Sequence, residues 1–285
     1  MADYLTVTCR LPAAAEAQLA EALAHWPVLG CQVEDSSGEL DVTIYLEETQ
    51  SAAVPRVLAD LGVLGAREVG SAHFAEEDWL AEYRRSATPV AIGSFFWVDP
   101  HPTSPTPPPE GRVHLIIEPR QAFGTGSHES TRLVLLLLEE LPVLGARVLD
   151  VGTGSGILAL AARALGAEWA VGFDIDDEAV FVARQIQAEQ PRPLPVALFA
   201  GSSGALRRRR RFDLVLANMI PAQFEPLLGD LVAMLDAGGR LVLSGLMIDQ
   251  RTAVESELAR LGVRVTSTRE QGEWLALVCE LEPRG

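Results

Sequence analysis

VLDVGTGSGILALAA, residues 148–162, is the stretch on which the reading of this chain turns. Strand-forming residues, Val148 to Val151, run into glycines at 152, 154 and 156, and an apolar helical run opens at once. Glycine permits a tight turn and lets a ligand lie against bare backbone with no Cβ in the way. Strand, glycine turn and helix together form the ligand-binding half of a doubly wound α/β unit, whose ligands sit at the carboxyl ends of the strands. Taken alone, the turn is equally compatible with a tight connection that binds nothing.

The next strand separates those readings. Asp174 closes Ala170-Val171-Gly172-Phe173, 22 residues after Gly152. A carboxylate at the tip of a second strand can accept both hydroxyls of a ribose. Asp176 and Asp177 are better placed to cap the helix that follows. The glycine spacing is G-x-G-x-G, tighter than the G-x-G-x-x-G of a pyrophosphate site, and Asp150 precedes it. An acidic residue there opposes a pyrophosphate and suits the cationic ammonium and sulfonium of S-adenosylmethionine. Methyl transfer is therefore expected over hydride transfer from NAD.

Outward from this motif, strands and helices alternate. Strands are expected at Val113–Ile117, Val148–Val151, Trp169–Asp174, Val196–Phe199, Leu214–Ala217 and Arg240–Ser244. Two consecutive strands, Val263–Thr268 and Trp274–Glu280, follow. Helices are expected at Thr131–Leu141, Ile157–Leu165, Asp177–Glu189, Phe224–Leu235 and Gln250–Leu261. The alternation predicts a mostly parallel sheet covered on both faces, with the final strand inserted antiparallel. The fold class is a doubly wound α/β methyltransferase sheet of seven strands with a small N-terminal α+β domain.

That N-terminal domain has its own pattern. Tyr4–Leu11, Cys31–Glu34, Leu40–Leu46 and Ala66–Gly70 read as strands, and Ala13–Trp26 and Ala52–Leu61 as helices, with a turn at Ser36–Gly38. The order β-α-β-β-α-β is ferredoxin-like. Expected boundaries are 1–70 for a substrate-recognition domain, 71–112 for a linker and 113–285 for the catalytic domain. The linker holds a helix, Glu76–Arg85, then the apolar stretch Pro89–Val98, then a proline-rich segment, Asp99–Gly111, whose six prolines enforce extended backbone.

Composition bounds the partners. The net charge is −16, and all 23 basic residues are arginine; the chain has no lysine. An acidic surface repels a nucleic-acid backbone and draws basic partners, although acidity also serves plain solubility. A protein substrate, no DNA, no membrane and a monomer are expected. Cys9, Cys31 and Cys279 match no metal or redox spacing, as for free thiols in a reducing compartment, and no metal is expected. No leader pattern is visible at the start of the sequence, and the run Leu133–Leu138 is too short to span a bilayer. The expected location is the cytoplasm.

A further motif lies upstream, IIEPRQAFGTGSHESTR over 116–132. With the glycine loop, FDID at 173–176, ANMI at 217–220, LSGL at 243–246, DWLAEYRR from Asp78 and EW at 273–274, the chain resembles the ribosomal protein L11 methyltransferase family. The resemblance covers roughly 75–280 by motif; residues 1–70 match in layout. It implies a bacterial enzyme that methylates lysine side chains and the N-terminal α-amine of a large-subunit ribosomal protein. Carried over motif by motif, Thr131, Gly152, Asp174 and Asn218 bind S-adenosylmethionine, with Gly154 in the same loop. Phe123, Gly124 and Thr125 close over its methionine end. Thr153 stands where a Cys is common, and its side chain is expected to be incidental. The stretch after Asn218 departs from the family pattern, and Pro221 suits a helix start. Arg207 to Arg211 also depart from it, and fit either a solvated loop or an electrostatic contact.

In-line methyl transfer requires alignment, exclusion of water and a deprotonated amine. Asn218 is expected to orient the amine lone pair, and Phe123 either to face the methylated cation or simply to pack. His128, at a helix start, suits a cap or surface role better than that of proton acceptor. The alternatives are a lysine methyltransferase acting on another protein, a small-molecule methyltransferase, and a methyltransferase-like binding protein without activity.

Overall fold

The computed structural model describes residues 4–23, 26–36, 38–74, 84–206 and 211–282. It divides into two compact units, Met1–Arg85 and Ser86–Gly285. The first holds β1 (Tyr4–Pro12), α1 (Glu16–Leu23), β2 (Gly30–Ser36), β3 (Glu39–Glu47), α2 (Val54–Val63) and β4 (Arg67–Phe74). The sheet order is β2-β3-β1-β4, every pairing antiparallel, which is the ferredoxin-like arrangement. Strict alternation along β3 buries Leu40, Val42, Ile44 and Leu46 on one face. They pack with Val57 and Leu61 of α2, which begins with Pro55 in its first turn. Most of the expected helix Glu76–Arg85, residues 76–83, lies outside the described residues, as do Arg207 to Arg210 and Ser37.

The second unit contains a small sheet and a large one. β5 (Val90–Ile92), β6 (Phe96–Asp99) and β7 (Val113–Ile116) form the small sheet, in that order. Two differences from the sequence reading follow. The stretch expected as linker supplies two strands, and the strand at 113 does not join the large sheet. Apolar alternation explains both: Ile92, Phe96, Val98 and Leu115 are buried in the same core as the glycine-loop helix. The proline-rich loop between β6 and β7 is pinned by Asp99, which is fully buried and accepts from the backbone N–H groups of His101 at 2.9 Å and Thr106 at 2.5 Å.

The large sheet has the order β10 (Ala197–Ala200), β9 (Trp169–Asp174), β8 (Arg147–Val151), β11 (Phe212–Asn218), β12 (Leu235–Met247), β14 (Trp274–Leu281), β13 (Val263–Gln271). The first five are parallel, and β14 runs antiparallel to both its neighbours. Successive side chains enter opposite cores, Val148, Leu214 and Leu216 one, Leu149, Val215 and Ala217 the other. Helices α3 (Glu129–Glu140), α4 (Ile157–Ala164) and α5 (Asp177–Ala188) cover the first face. The expected helix Phe224–Leu235 is instead α6 (Pro221–Phe224), a 3-10 turn and α7 (Leu228–Ala233), which with α8 (Arg251–Arg260) cover the second. Pro226 sits in that turn and lacks the N–H an unbroken helix needs. Among the described residues no helix is long and apolar enough to cross a membrane.

Candidate active site

The sheet order reverses beside β8: β9 and β10 lie on one side of it and β11 on the other. Register places Val151, Phe173 and Ala217 level across the three strands. The residues just beyond them, Gly152, Asp174 and Asn218, therefore share the carboxyl edge at a topological switch point, where ligands bind in such sheets. A cleft of about 460 Å³ opens there and is lined by all three. That volume falls within the roughly 300–1,000 Å³ of small-molecule sites.

The glycine loop is built from its own backbone. Gly152 and Gly154 have φ of +65° and +51°, a region that side-chain-bearing residues avoid. A Cβ on Gly154 would lie 2.5 Å from the Phe123 carbonyl oxygen. The freed N–H of Gly154 donates to Asp174 Oδ2 at 3.0 Å, and that of Asp176 to Oδ1 at 3.2 Å. The Asp174 carboxylate is thus fixed at the cleft wall, and an ionised carboxylate with about four acceptor positions still has two to offer. Asp176 caps α5 by accepting from the Glu178 N–H at 3.0 Å.

Ser155 ties this loop to the upstream motif. Its N–H donates to the Phe123 carbonyl at 2.9 Å, and its hydroxyl to the Gly124 carbonyl at 2.5 Å. Phe123 and Gly154 line the cleft, whereas Gly124, Thr125 and Thr131 do not. Thr125 bonds outward, to the Ser127 hydroxyl at 2.7 Å. Thr131 is fully buried behind Asn218, whose Nδ2 donates to its Oγ1 at 3.1 Å. The remaining amide atom, Asn218 Oδ1, is buried without a hydrogen-bond partner.

Two sequence readings need correction. Asp150 does not line the cleft. It is buried beneath the loop, where Oδ2 accepts from the Thr153 hydroxyl at 2.7 Å and the Ala159 N–H at 3.2 Å. Burial pushes its carboxyl up to about 6, with nearby Asp174 adding to the effect. Its place on the α4-facing side of β8, the side of Val148, decides this, since strand side chains alternate faces. Thr153 is consequently not incidental: its hydroxyl donates the shorter of the two bonds to that acid.

His128 takes the cap role. It precedes α3, and its Nδ1 accepts from the Ser130 N–H at 3.2 Å. The same nitrogen lies 2.8 Å from the Ser130 hydroxyl. His128 also lines the cleft, between the rings of Phe123 and Trp274.

Trp274, Met219, Ile220 and Gly245 line the cleft without having been assigned a role from sequence. The rule of carboxyl-end loops could have found the last three, which follow β11 or end a parallel run in β12. Trp274 had a subtler signal. A strand inserted antiparallel begins where its parallel neighbours end, and β14 begins with Trp274, paired with Met247.

Known proteins resemble the chain along most of its length. The family model described as ribosomal protein L11 methyltransferase (PrmA) matches residues 4–282. The ribosomal protein L11 methyltransferase of Geobacter sulfurreducens is 34% identical over 307 residues, covering 97% of each chain. That of Deinococcus radiodurans is 36% identical over 217 residues, covering 73% of this chain and 79% of the other. The crystal structure of ribosomal protein L11 methylase from Lactobacillus delbrueckii subsp. bulgaricus matches with a TM-score of 0.63 at 28% identity, covering 69% of this chain and 100% of that one.

Proposed function

The chain belongs to the ribosomal protein L11 methyltransferase family, and from that membership we propose that it transfers methyl groups from S-adenosylmethionine to lysine side chains and the N-terminal α-amine of ribosomal protein L11. The residues present fit such a cofactor. The switch-point cleft has the required size, Asp174 has acceptor capacity on one flank, and Asn218 carries an unpartnered buried oxygen on the other. Gly152, Gly154, Asp174 and Asn218 would hold the cofactor, with Thr131 acting through the Asn218 amide it pins. Phe123, Gly124 and Thr125 would close over the methionine end, held by Ser155.

When bound, S-adenosylmethionine supplies an electrophilic methyl on its sulfonium sulfur. The chain's own residues align the amine. Lysine and α-amines have reference pKa values near 10.4 and 8, and an apolar cleft favours their neutral, nucleophilic form. Asn218 Oδ1 accepts from an amine N–H and so aims the lone pair; an amide cannot act as a base at neutral pH. His128 is engaged at Nδ1 as the α3 cap, and the amine proton is assigned to solvent before alignment. The N-terminal unit is assigned to recognition of the protein substrate. The enzyme is proposed to work as a monomer in the cytoplasm, without DNA.

The observation that carries this reading is Asn218 in the cleft lining, its amide pinned by Thr131 and its buried Oδ1 without a hydrogen-bond partner. Asn218→Ala is expected to slow single-turnover methylation of purified L11 by at least about tenfold, some 1.4 kcal/mol of barrier, with the thermal melt nearly unchanged. A parental rate with saturating cofactor would remove Asn218 from amine positioning. For the substrate, mass spectrometry of L11 from cells lacking this gene is expected to show unmethylated protein. Unchanged methylation there would favour another protein as the substrate.

A further inference from the structure

One wall of the cleft is made of aromatic rings. Phe123 and His128 have ring centroids 5.4 Å apart at 63°, and His128 and Trp274 have theirs 4.6 Å apart at 70°. All three line the same cleft as Asn218. The middle ring is held at Nδ1 by the first turn of α3, so the wall is anchored to a helix end. Trp274 packs on the core at the start of β14, whereas Phe123 is 56% exposed. Leaving a Phe half in solvent forfeits apolar burial, as expected where the ring faces an incoming ligand.

The cleft's acidic groups are assigned other partners, Asp174 the cofactor and Asp176 the α5 cap. Asp174 is held by the N–H groups of Gly154 and Asp176, and Asp176 caps α5. The lining also holds Gln121, Ser130 and Gln223; Asn218 Oδ1 and the rings are the groups assigned to the amine. These two elements respond oppositely to methylation. Each methyl removes one N–H that Asn218 can accept from, and a quaternary ammonium has none. An aromatic face attracts the cation by its quadrupole whatever the number of N–H bonds. In each round the nitrogen lone pair forms the new N–C bond, and the S–C pair stays on sulfur. The nitrogen is left as an ammonium, whose proton passes to solvent before another round.

We propose that Phe123, His128 and Trp274 form a cation-binding wall that retains the methylated ammonium in the cleft, making Trp274 a determinant of how many methyl groups one amine receives. This inference rests on the amine-methylating activity proposed above.

Two measurements test it on the full chain. In calorimetry with S-adenosylhomocysteine present, choline should bind about three- to thirtyfold more tightly than dimethylbutanol, its uncharged carbon isostere, as a cation–aromatic contact predicts. Trp274→Leu should abolish that preference, and Trp274→Phe should keep part of it. In methylation of L11, Trp274→Leu should slow the second and third transfers more than the first, so that monomethylated product accumulates. Asn218→Ala should show the reverse bias. Equal binding of choline and its isostere, or equal slowing of all transfers, would overturn the proposal. So would a Trp274→Leu protein that loses affinity for S-adenosylmethionine but not for S-adenosylhomocysteine, since the rings would then face the sulfonium. If the parental protein adds no methyl to L11 yet prefers choline, the assigned substrate fails and the wall stands.

Discussion

Asp174 and Asp150 are two carboxylates at neighbouring strand ends with opposite environments. Asp174 faces the cleft and is braced by two N–H groups. Asp174→Ala should weaken S-adenosylmethionine by about 2–3 kcal/mol, the loss expected for charged hydrogen bonds; unchanged affinity in calorimetry would remove it from the site. Asp150 is sealed below, with one oxygen bonded twice and Oδ1 without a partner. Burial raises its carboxyl from 3.8 to about 6. Between those pH values the native chain holds this proton more tightly than the unfolded chain. Its contribution to stability is therefore full below about pH 4 and is lost as pH rises through about 6. At 1.36 kcal/mol per pKa unit the loss is of the order of 2–3 kcal/mol. Asp150→Asn should remove the rise in urea midpoint that this group is expected to contribute on going from pH 7 to pH 4.5, and an equal slope in both proteins would sink the assignment.

At the scale of elements, the site depends on two loops sewn together. Ser155 bonds to both Phe123 and Gly124, and Gly154 leaves room for the Phe123 carbonyl. Gly154→Ala puts a Cβ in a left-handed conformation costing roughly 1–2 kcal/mol, and adds a contact of 2.5 Å that the backbone must relieve. The loops should separate while the sheet persists. The expected result is an unchanged far-UV circular dichroism spectrum with cofactor affinity down at least about tenfold; retained affinity would mean that the loops move independently. The small sheet β5–β7 adds to the same core from the other direction. The Glu139 carboxylate accepts from the Ser94 and Phe95 N–H groups, each at 3.0 Å, and so fastens the β5–β6 turn to α3.

For the whole molecule, the two units have separate apolar cores, Leu5 to Leu61 in one and Ile92 to Cys279 in the other. Separate cores permit separate folding. A cut after residue 70 would divide β4, which runs to Phe74, so the division after Arg85 is the one to test. Removing residues 1–85 should leave S-adenosylmethionine binding near parental while abolishing methylation of L11. A truncated protein that still modified L11 at the parental rate would show that the N-terminal unit does not recognise the substrate. The composition makes that assay clean: with no lysine in the chain, the enzyme contributes no lysine amine to the label.

What the sequence determined by itself was local and periodic. Continuous apolar runs placed the strands from Arg147 to Asp174 to within a residue, because each is buried on both faces and bounded by glycine or a capping acid. The glycine spacing and Asp174 located the cofactor edge, because a parallel strand's end is readable from where its apolar run stops. Tertiary structure decided what depends on partners distant in sequence. Whether Asp150 faces ligand or core was set by the helix α4 that packs over its side of β8. Pairing with β6 drew the strand at 113 into a second sheet. Trp274 reached the cleft because β14 enters between β12 and β13 in the opposite sense, which carries its first residue to the edge where β12 ends its parallel run.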